Sequence, residues 1–187
     1  VVAKKHFDAD FDTLRELLAS PYHEYRLTAL LALTYRYAKF KDLASREACV
    51  NFYVSQVDAI NNWDLVDLSC YKILGHWLFD KDKQLLYDWA KENHLWKQRI
   101  AMITCMHFVK QGEFKDALAI ADLLQHHPHD LIHKAVGWIL REIGKENEQL
   151  LVDYLTPRYK EMPRTMLRYA IERFEEGKRK AFLHSKV

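Results

Sequence analysis

The spacing of apolar residues constrains the fold of this chain more than any other feature. Apolar side chains recur three and four positions apart, the period of an α-helix that buries one face. No stretch alternates apolar and polar residues between hairpin turns, and 5 glycines and 4 prolines in 187 residues leave few helix breakers. The sequence therefore predicts an all-α protein. The predicted helices lie near residues 11 to 19, 23 to 39, 45 to 59, 63 to 79, 83 to 92, 95 to 110, 114 to 125, 130 to 143, 147 to 156, 163 to 174 and 177 to 184.

Glycine and proline residues fall near the ends of these segments. Gly112, Gly144 and Gly177 each follow a helical pattern, and the left-handed position at a helix C-terminus favours glycine. The prolines lie in or next to junctions, where a missing amide hydrogen costs least. They are Pro21, Pro128, Pro157 and Pro163. The three glycines are 32 and 33 residues apart, which indicates a structural repeat.

A basic residue that enters an apolar helix repeats with a similar period. Steps of 73, 35 and 34 residues separate Arg26, Arg99, Lys134 and Arg168 in turn. Helix pairs of this length cannot bury their own apolar faces and stack into a curved solenoid. We therefore expect residues 1–187 to form a single α-solenoid domain of antiparallel helix pairs. Its concave face would display polar and aromatic side chains to a partner.

Positive charge collects at the C-terminal end of the chain. Residues 156–187 carry 9 Lys+Arg and 4 Asp+Glu, whereas residues 1–93 carry 12 and 14. If they share a face, these side chains could meet the phosphates of a nucleic acid; a solvated pair of terminal helices or contact with an acidic protein is the alternative. The basic side chains concerned are Arg158, Lys160, Arg164, Arg168, Arg173, Lys178, Arg179 and Lys180.

Cysteine usage and hydropathy indicate the compartment. Cys49, Cys70 and Cys105 are odd in number and form no CxxC pair, which predicts buried thiols in a reducing, cytoplasmic environment. No apolar run approaches the roughly 18 residues that span a bilayer, and we expect no membrane partner and no signal peptide. The first residue is valine rather than methionine. We expect that residues precede it and that an N-terminal helix pair is absent from this chain.

A cluster of histidines lies near the centre of the C-terminal half. Histidine is a common metal ligand, but no cysteine joins the cluster and Pro128 interrupts it. A polar loop between two helices is the favoured interpretation, and we expect no metal. The cluster consists of His126, His127, His129 and His133.

The segment Asn61–Asp67 carries the most suggestive chemistry. Trp63 and Asp67 are four positions apart and share a face of a helix, and an indole beside a carboxylate suits a reaction in which positive charge develops on carbon. The competing interpretation is structural. An Asn-Asn-Trp-Asp sequence is typical of a capped helix N-terminus, and Asp64 is expected to stabilise that terminus.

Five runs of residues together resemble the AlkD-like family of DNA alkylation-repair glycosylases. They are HEYRLTALLAL (23–33), INNWDLVDLS (60–69), LWKQRIAMI (95–103), DLIHKAVGWILREIGK (130–145) and MPRTMLRYAIERF (162–174). The resemblance covers the chain from about residue 7 to its end. It implies HEAT-like helical repeats and a monomer that removes N3- or N7-alkylated purines from duplex DNA without metal or other cofactor. It also implies that the lesion stays stacked on the concave surface.

The resemblance assigns roles to particular residues. Asp67 would be the catalytic carboxylate, Trp63 and Trp138 would contact the sugar–phosphate backbone of the lesion, and Arg99 would hold a phosphate. Further candidate DNA contacts are Lys134, Arg164 and Arg168. In the competing interpretation the tryptophans are core aromatics and Arg99 pairs with a carboxylate of the neighbouring repeat. Trp77, Trp89 and Trp96 are expected to be packing residues.

Two other functions are compatible with the same scaffold. One is a HEAT-like protein that binds DNA or recognises damage without turnover. The other is a scaffold that holds an acidic protein. The joint presence of Trp63, Asp67, Arg99 and Trp138 favours the enzyme.

Overall fold

The computed structural model of the protein describes residues 2–184, and all regular secondary structure in that range is helical. The helices are α1 (Val2–Lys5), α2 (Phe11–Leu18), α3 (His23–Lys39), α4 (Leu43–Ser55), α5 (Trp63–Asp67), α6 (His76–Leu78), α7 (Gln84–Lys91), α8 (Leu95–Lys110), α9 (Lys115–Leu124), α10 (Asp130–Glu146), α11 (Glu148–Leu155), α12 (Arg164–Ala170) and α13 (Glu176–Leu183). A 3₁₀ turn covers Val57–Ala59 and a π-helical turn covers Tyr71–Gly75.

Long periodic segments form the helices that the sequence predicts, whereas the predicted helix at 63 to 79 is interrupted. Helices α3 and α8 have the predicted ends. Helix α5 stops at Asp67 and gives way to the π-helical turn before α6. Near this break the Ser69 hydroxyl donates to the Leu65 carbonyl oxygen, a side-chain bond that competes with regular helical bonding. Single π turns often accompany functional sites.

The glycine pattern is only partly a pattern of helix ends. Gly112 follows α8 with φ 80°, as predicted, but Gly144 lies inside α10 and Gly177 inside α13, so both of those predictions are wrong. At Gly144 an added Cβ would lie 2.5 Å from Leu151 Cδ2, and glycine therefore permits close packing against α11. The Gly177 amide donates to Glu175 Oε2 at the start of α13.

The chain divides into two compact units at Lys83 and Gln84. In unit 1, which ends at Lys83, α3 packs against α1, α2, α4 and α5. Its core is apolar, with Leu33, Ile60 and Leu65 fully buried. These contacts fix the short helix α5, because a helix of five residues is not stable without tertiary packing.

Unit 2, which begins at Gln84, is built on two long helices. Helix α10 packs against both α8 and α12, and α7 and α9 pack against α8. Eleven of the sixteen residues of α8 are buried, so this helix is surrounded by protein on nearly every side. Polar residues on such a helix, including Arg99, must find partners inside the protein.

The predicted burial of the three cysteines is confirmed. Cys49, Cys70 and Cys105 are buried and in the thiol form. Burial raises the pKa of the Cys49 thiol, which disfavours the reactive thiolate. Across residues 2–184, no helix has the length and apolar character needed to cross a membrane.

Helices α10 and α12 approach each other closely at Gly137, so we expect this position to tolerate no larger residue. A Cβ at this position would lie 2.5 Å from Tyr169 Cβ and 2.6 Å from the Met166 carbonyl oxygen. We expect Gly137→Ala to lower the free energy of unfolding by about 1–3 kcal/mol through overpacking, as measured by urea denaturation. The control is Gly144→Ala, which meets the movable end of Leu151 and gains helix propensity. An equal loss at both glycines would contradict a specific backbone clash at Gly137.

Candidate functional site

Helix α5 places an exposed indole one turn before a nearly buried carboxylate. Trp63 is its first residue and is 54% exposed, whereas Asp67 is its last residue and is 9% exposed. Asn62 precedes the helix without a side-chain capping bond, so the predicted asparagine cap is wrong. Asp64 instead accepts a hydrogen bond from the Leu65 amide at 2.8 Å, in the first turn, as the structural interpretation predicts.

Asp64 is also engaged by a residue that the sequence analysis missed. His23 Nε2 lies 2.7 Å from Asp64 Oδ2, and both side chains are partly buried. This contact links the first residue of α3 to the first turn of α5 and satisfies one of the two carboxylates of the segment. Asp64 therefore has a clear structural role, whereas Asp67 lies at the margin of the core, one turn from the exposed Trp63.

A buried hydroxyl pair supports the C-terminal end of α5. The Ser69 hydroxyl donates to the Leu65 carbonyl, so in its 3.0 Å contact with Tyr53 the phenol must be the donor. Burial raises the pKa of Tyr53 well above its usual value, and the negative charge of Asp67 raises it further. Tyr53 therefore remains a protonated donor, and its hydroxyl bonds Ser69, two residues after Asp67.

In unit 2, Arg99 is buried and bonded to protein. Its side chain is 4% exposed, and Nη1 donates to the Leu131 carbonyl oxygen in the first turn of α10. An inward guanidinium was one of the two alternatives, and the Leu131 backbone carbonyl is one partner of this side chain. Arg99 thus anchors the start of the helix that carries Lys134 and Trp138.

Lys134 and Trp138 follow one another on a face of α10. Their spacing of four residues places the side chains on adjacent turns. Lys134 Nζ lies 2.7 Å from Asp130 Oδ2, and this hydrogen bond raises the pKa of the lysine. Trp138 is half-buried, so part of its ring is accessible. Of the three tryptophans that were predicted to be packing residues, Trp89 is buried, at 6% exposed.

The histidine cluster organises the loop before α10. His127 Nε2 bonds Gln98 Oε1 at 3.0 Å, and its Nδ1 accepts from the His129 amide. His129 Nδ1 accepts from the Leu131 amide, and His133 Nε2 bonds the His127 carbonyl. Within residues 2–184, no group of three or more potential side-chain ligands is arranged to hold a metal ion. The bonds described are those of a polar loop that caps a helix.

The lowered pKa of His127 predicts how the stability of the fold depends on pH. Burial, and then the charges of His129 and His133, lower its pKa from 6.5. The unfolded chain therefore binds a proton first, and the stabilising contribution, complete above about pH 6.5, is lost as the pH falls through the lower folded value. We expect His127→Gln to reduce the loss of unfolding free energy between about pH 7.5 and 5. The exposed His126→Gln should behave like wild type; equal acid sensitivity of all three proteins would contradict this role.

Most of the C-terminal basic residues are already engaged within unit 2. Arg158 binds Asp122 at 2.9 Å, and Lys178 binds Glu148 at 2.5 Å. Arg179 and Lys180 pair with Glu176, and Arg164 donates to the Leu183 carbonyl. The predicted row of phosphate contacts is therefore reduced by local pairing.

Arg168 is exposed beside an open cavity. The cavity has a volume of about 370 Å³ and is lined by Thr165, Arg168, Tyr169, Glu172 and Arg179. A polar depression with an accessible guanidinium suits an anionic group such as a phosphate.

Comparison with known proteins identifies the family. The sequence profile of a family described as DNA alkylation repair enzyme matches residues 1–174. The chain belongs to the DNA alkylation repair enzyme family. A solved structure described as a predicted DNA alkylation repair enzyme from Enterococcus faecalis has the same fold, with a TM-score of 0.70 and 16% sequence identity. The alignment covers 93% of this chain and 81% of that one.

Membership of the alkylation repair family confirms the predicted resemblance, and the shared fold confirms the predicted all-α class. Family membership also supports DNA as the partner of the protein. A comparison with curated protein sequences returned no match. The support for the roles of individual side chains is therefore the geometry within each unit.

Proposed function

We propose that this DNA alkylation repair enzyme is a glycosylase that hydrolyses the N-glycosidic bond of N3- or N7-alkylated purines in duplex DNA. The observation that carries the proposal is the pair on α5: an exposed Trp63 one turn from Asp67, beside an Asp64 that is already bonded to His23. A carboxylate held at the margin of the core, next to an accessible indole, is suited to a transient cation.

The reaction does not need a strong general acid. An alkylated purine carries a formal positive charge, so when the C1′–N bond breaks its electron pair leaves with the base and neutralises it. The deoxyribose becomes oxocarbenium-like. Asp67 stabilises this cation, and water adds its oxygen to C1′ and releases a proton. The products are a free purine and an abasic site. Because charge on the sugar develops only towards the transition state, the carboxylate lowers the barrier rather than merely binding substrate.

The other candidate residues act as contacts to DNA. Trp63 in unit 1 and Trp138 in unit 2 present accessible indole surface to the sugar–phosphate backbone. Lys134, Arg164 and Arg168 supply positive charge in unit 2. Arg99 acts first by holding the Leu131 carbonyl, and through it the helix that carries Lys134 and Trp138. Because Arg99 is only 4% exposed, just a small part of it is accessible to a phosphate.

The proposal is tested with a panel of lesions in otherwise identical duplexes. We expect release of 7-methylguanine and 3-methyladenine, which leave from cationic nucleosides, and no comparable release of neutral hypoxanthine or O6-methylguanine. Free base is measured by liquid chromatography over time. Release of neutral and cationic bases at equal rates would contradict a mechanism that relies on the charge of the leaving group.

One observation favours a second candidate, a protein that binds alkylated DNA without turnover. Asp67 is only 9% exposed, and a carboxylate with a structural role would be buried to this degree. The lesion panel distinguishes the two functions, because a binder retains the alkylated duplex and releases no base.

Arg168 and Arg158 provide a matched pair for the electrostatic part of the proposal. We expect Arg168→Ala to weaken duplex binding and to reduce the slope of log K against log salt by about one, as for the loss of one phosphate contact. Arg158→Ala removes the same charge from a guanidinium that is paired with Asp122 and should change the slope little. Fluorescence anisotropy over a salt series measures both. Identical slopes for the two variants would remove Arg168 from the DNA interface.

A further inference from the structure

Two tyrosines at the start of α3 are exposed without an evident role in the fold. Tyr22 is 65% exposed and Tyr25 is 53% exposed, and their rings form an edge-to-face pair with centroids 5.6 Å apart. Exposed aromatic side chains that lie together, rather than scattered singly, are candidate contacts for a partner.

The hydroxyl groups of this pair differ from those of four buried or partly buried tyrosines. Tyr37 bonds His76, Tyr53 bonds Ser69, Tyr87 bonds Asp116 and Tyr154 bonds Asp122. Among residues 2–184, no such side-chain partner is found for the hydroxyl of Tyr22 or Tyr25. Both phenols are consequently available to donate a hydrogen bond to a ligand.

The pair adjoins the candidate catalytic segment of the same unit. His23 lies between the tyrosines in sequence and contacts Asp64, the neighbour of Trp63. The exposed rings of Tyr22, Tyr25 and Trp63 are thus attached to backbone segments joined by one 2.7 Å bond. The bond holds the two backbone segments that carry these rings together within unit 1.

One positive and one negative side chain, Arg26 and Glu24, lie beside the pair in the sequence. Arg26 donates to the carbonyl oxygens of Ser20 and Pro21, which immediately precede Tyr22. Carbonyl groups do not cancel a positive charge as a carboxylate would. Glu24 is exposed and acts in the opposite direction, so the guanidinium offsets it rather than creating a strongly positive surface.

We propose that Tyr22 and Tyr25 form a lesion-independent contact with duplex DNA, with their rings against deoxyribose and their hydroxyl groups donating to phosphate oxygens. Tyrosine hydroxyls commonly contact phosphates, and such contacts position a duplex without reading its sequence. The inference rests on the proposed function for the identity of the partner, but it assigns these residues to affinity rather than to bond cleavage.

The test measures binding of an unmodified duplex, so that no chemistry is needed. We expect the double variant Tyr22→Ala, Tyr25→Ala to raise Kd by about tenfold, the scale expected for loss of aromatic contacts to nucleic acid. The double phenylalanine variant should fall between it and wild type, because it keeps the rings and loses the hydroxyl bonds. Tyr35→Ala is the matched control, since Tyr35 is 41% exposed on the same helix about 15 Å further along it.

Each outcome decides the inference. An unchanged Kd for the double alanine variant, or an equal change for Tyr35→Ala, would overturn it and would favour a protein partner for this surface. If the tyrosines control duplex binding but no base is released by wild type, the glycosylase proposal fails and this inference stands. If base is released and the tyrosines do not affect Kd, the glycosylase proposal stands and this inference fails.

Discussion

Asp67→Asn should lower the single-turnover rate of 7-methylguanine release by about 100-fold or more, the scale of a lost electrostatic stabiliser of a transition state. Asparagine has nearly the same shape, but its neutral amide cannot offset the positive charge that develops on deoxyribose. Binding of the alkylated duplex should change little, because the interaction strengthens only as the glycosidic bond breaks. Rate and Kd are measured separately, by quenched time courses at saturating enzyme and by anisotropy.

Asp64→Asn is the matched control for this variant. It makes the same chemical change on the same helix, but at a carboxylate whose partner is His23. An amide oxygen can still accept from His23 Nε2, so we expect at most a severalfold loss of rate. If the two variants are equally impaired, or if Asp67→Asn releases base as fast as wild type, Asp67 does not have the catalytic role.

Arg99→Ala should lower the free energy of unfolding by about 2–4 kcal/mol, because it removes a buried side chain and leaves a polar acceptor unpaired. The Leu131 carbonyl loses its guanidinium donor, and a void forms beside α8. Urea denaturation provides the measurement. Arg158→Ala, which removes a partly exposed ion pair, should cost only about 0–1 kcal/mol.

Arg99→Lys separates anchoring from phosphate binding. A lysine keeps the charge but lacks the planar fork of donors that reaches the Leu131 carbonyl and any second acceptor together. A loss of stability with an unchanged salt slope would assign Arg99 to anchoring alone. A stability close to wild type for Arg99→Ala would contradict the account of a buried, bonded guanidinium.

Helix periodicity predicted the fold class because the longest helices, α3, α8 and α10, run for 16 or 17 residues. The ends of α3 and α8 could be read from the sequence for this reason. The break after Asp67 could not, since it depends on a buried serine that bonds a carbonyl within a segment of continuous helical pattern. Glycine misled the analysis because one residue type serves two purposes: Gly112 adopts positive φ, while Gly144 allows a close approach between helices.

The candidate site was predicted unevenly. Trp63, Asp67 and Trp138 could be named from local motifs, but their roles are still predictions. His23 was missed because it lies 41 residues from Asp64, and no local pattern connects the two. The basic C-terminal residues were overvalued because sequence spacing does not show which charges are neutralised; the bonds of Arg158 to Asp122 and of Lys178 to Glu148 span 36 and 30 residues.

The central claim is that this chain breaks a glycosidic bond rather than only recognising damage. The most direct measurement is mass spectrometry of a duplex with one 7-methylguanine, incubated with excess wild-type protein. We expect one free base for each lesion and a strand that has become abasic at that position. An intact alkylated strand that remains bound to the protein, with no free base above the spontaneous background, would contradict the account.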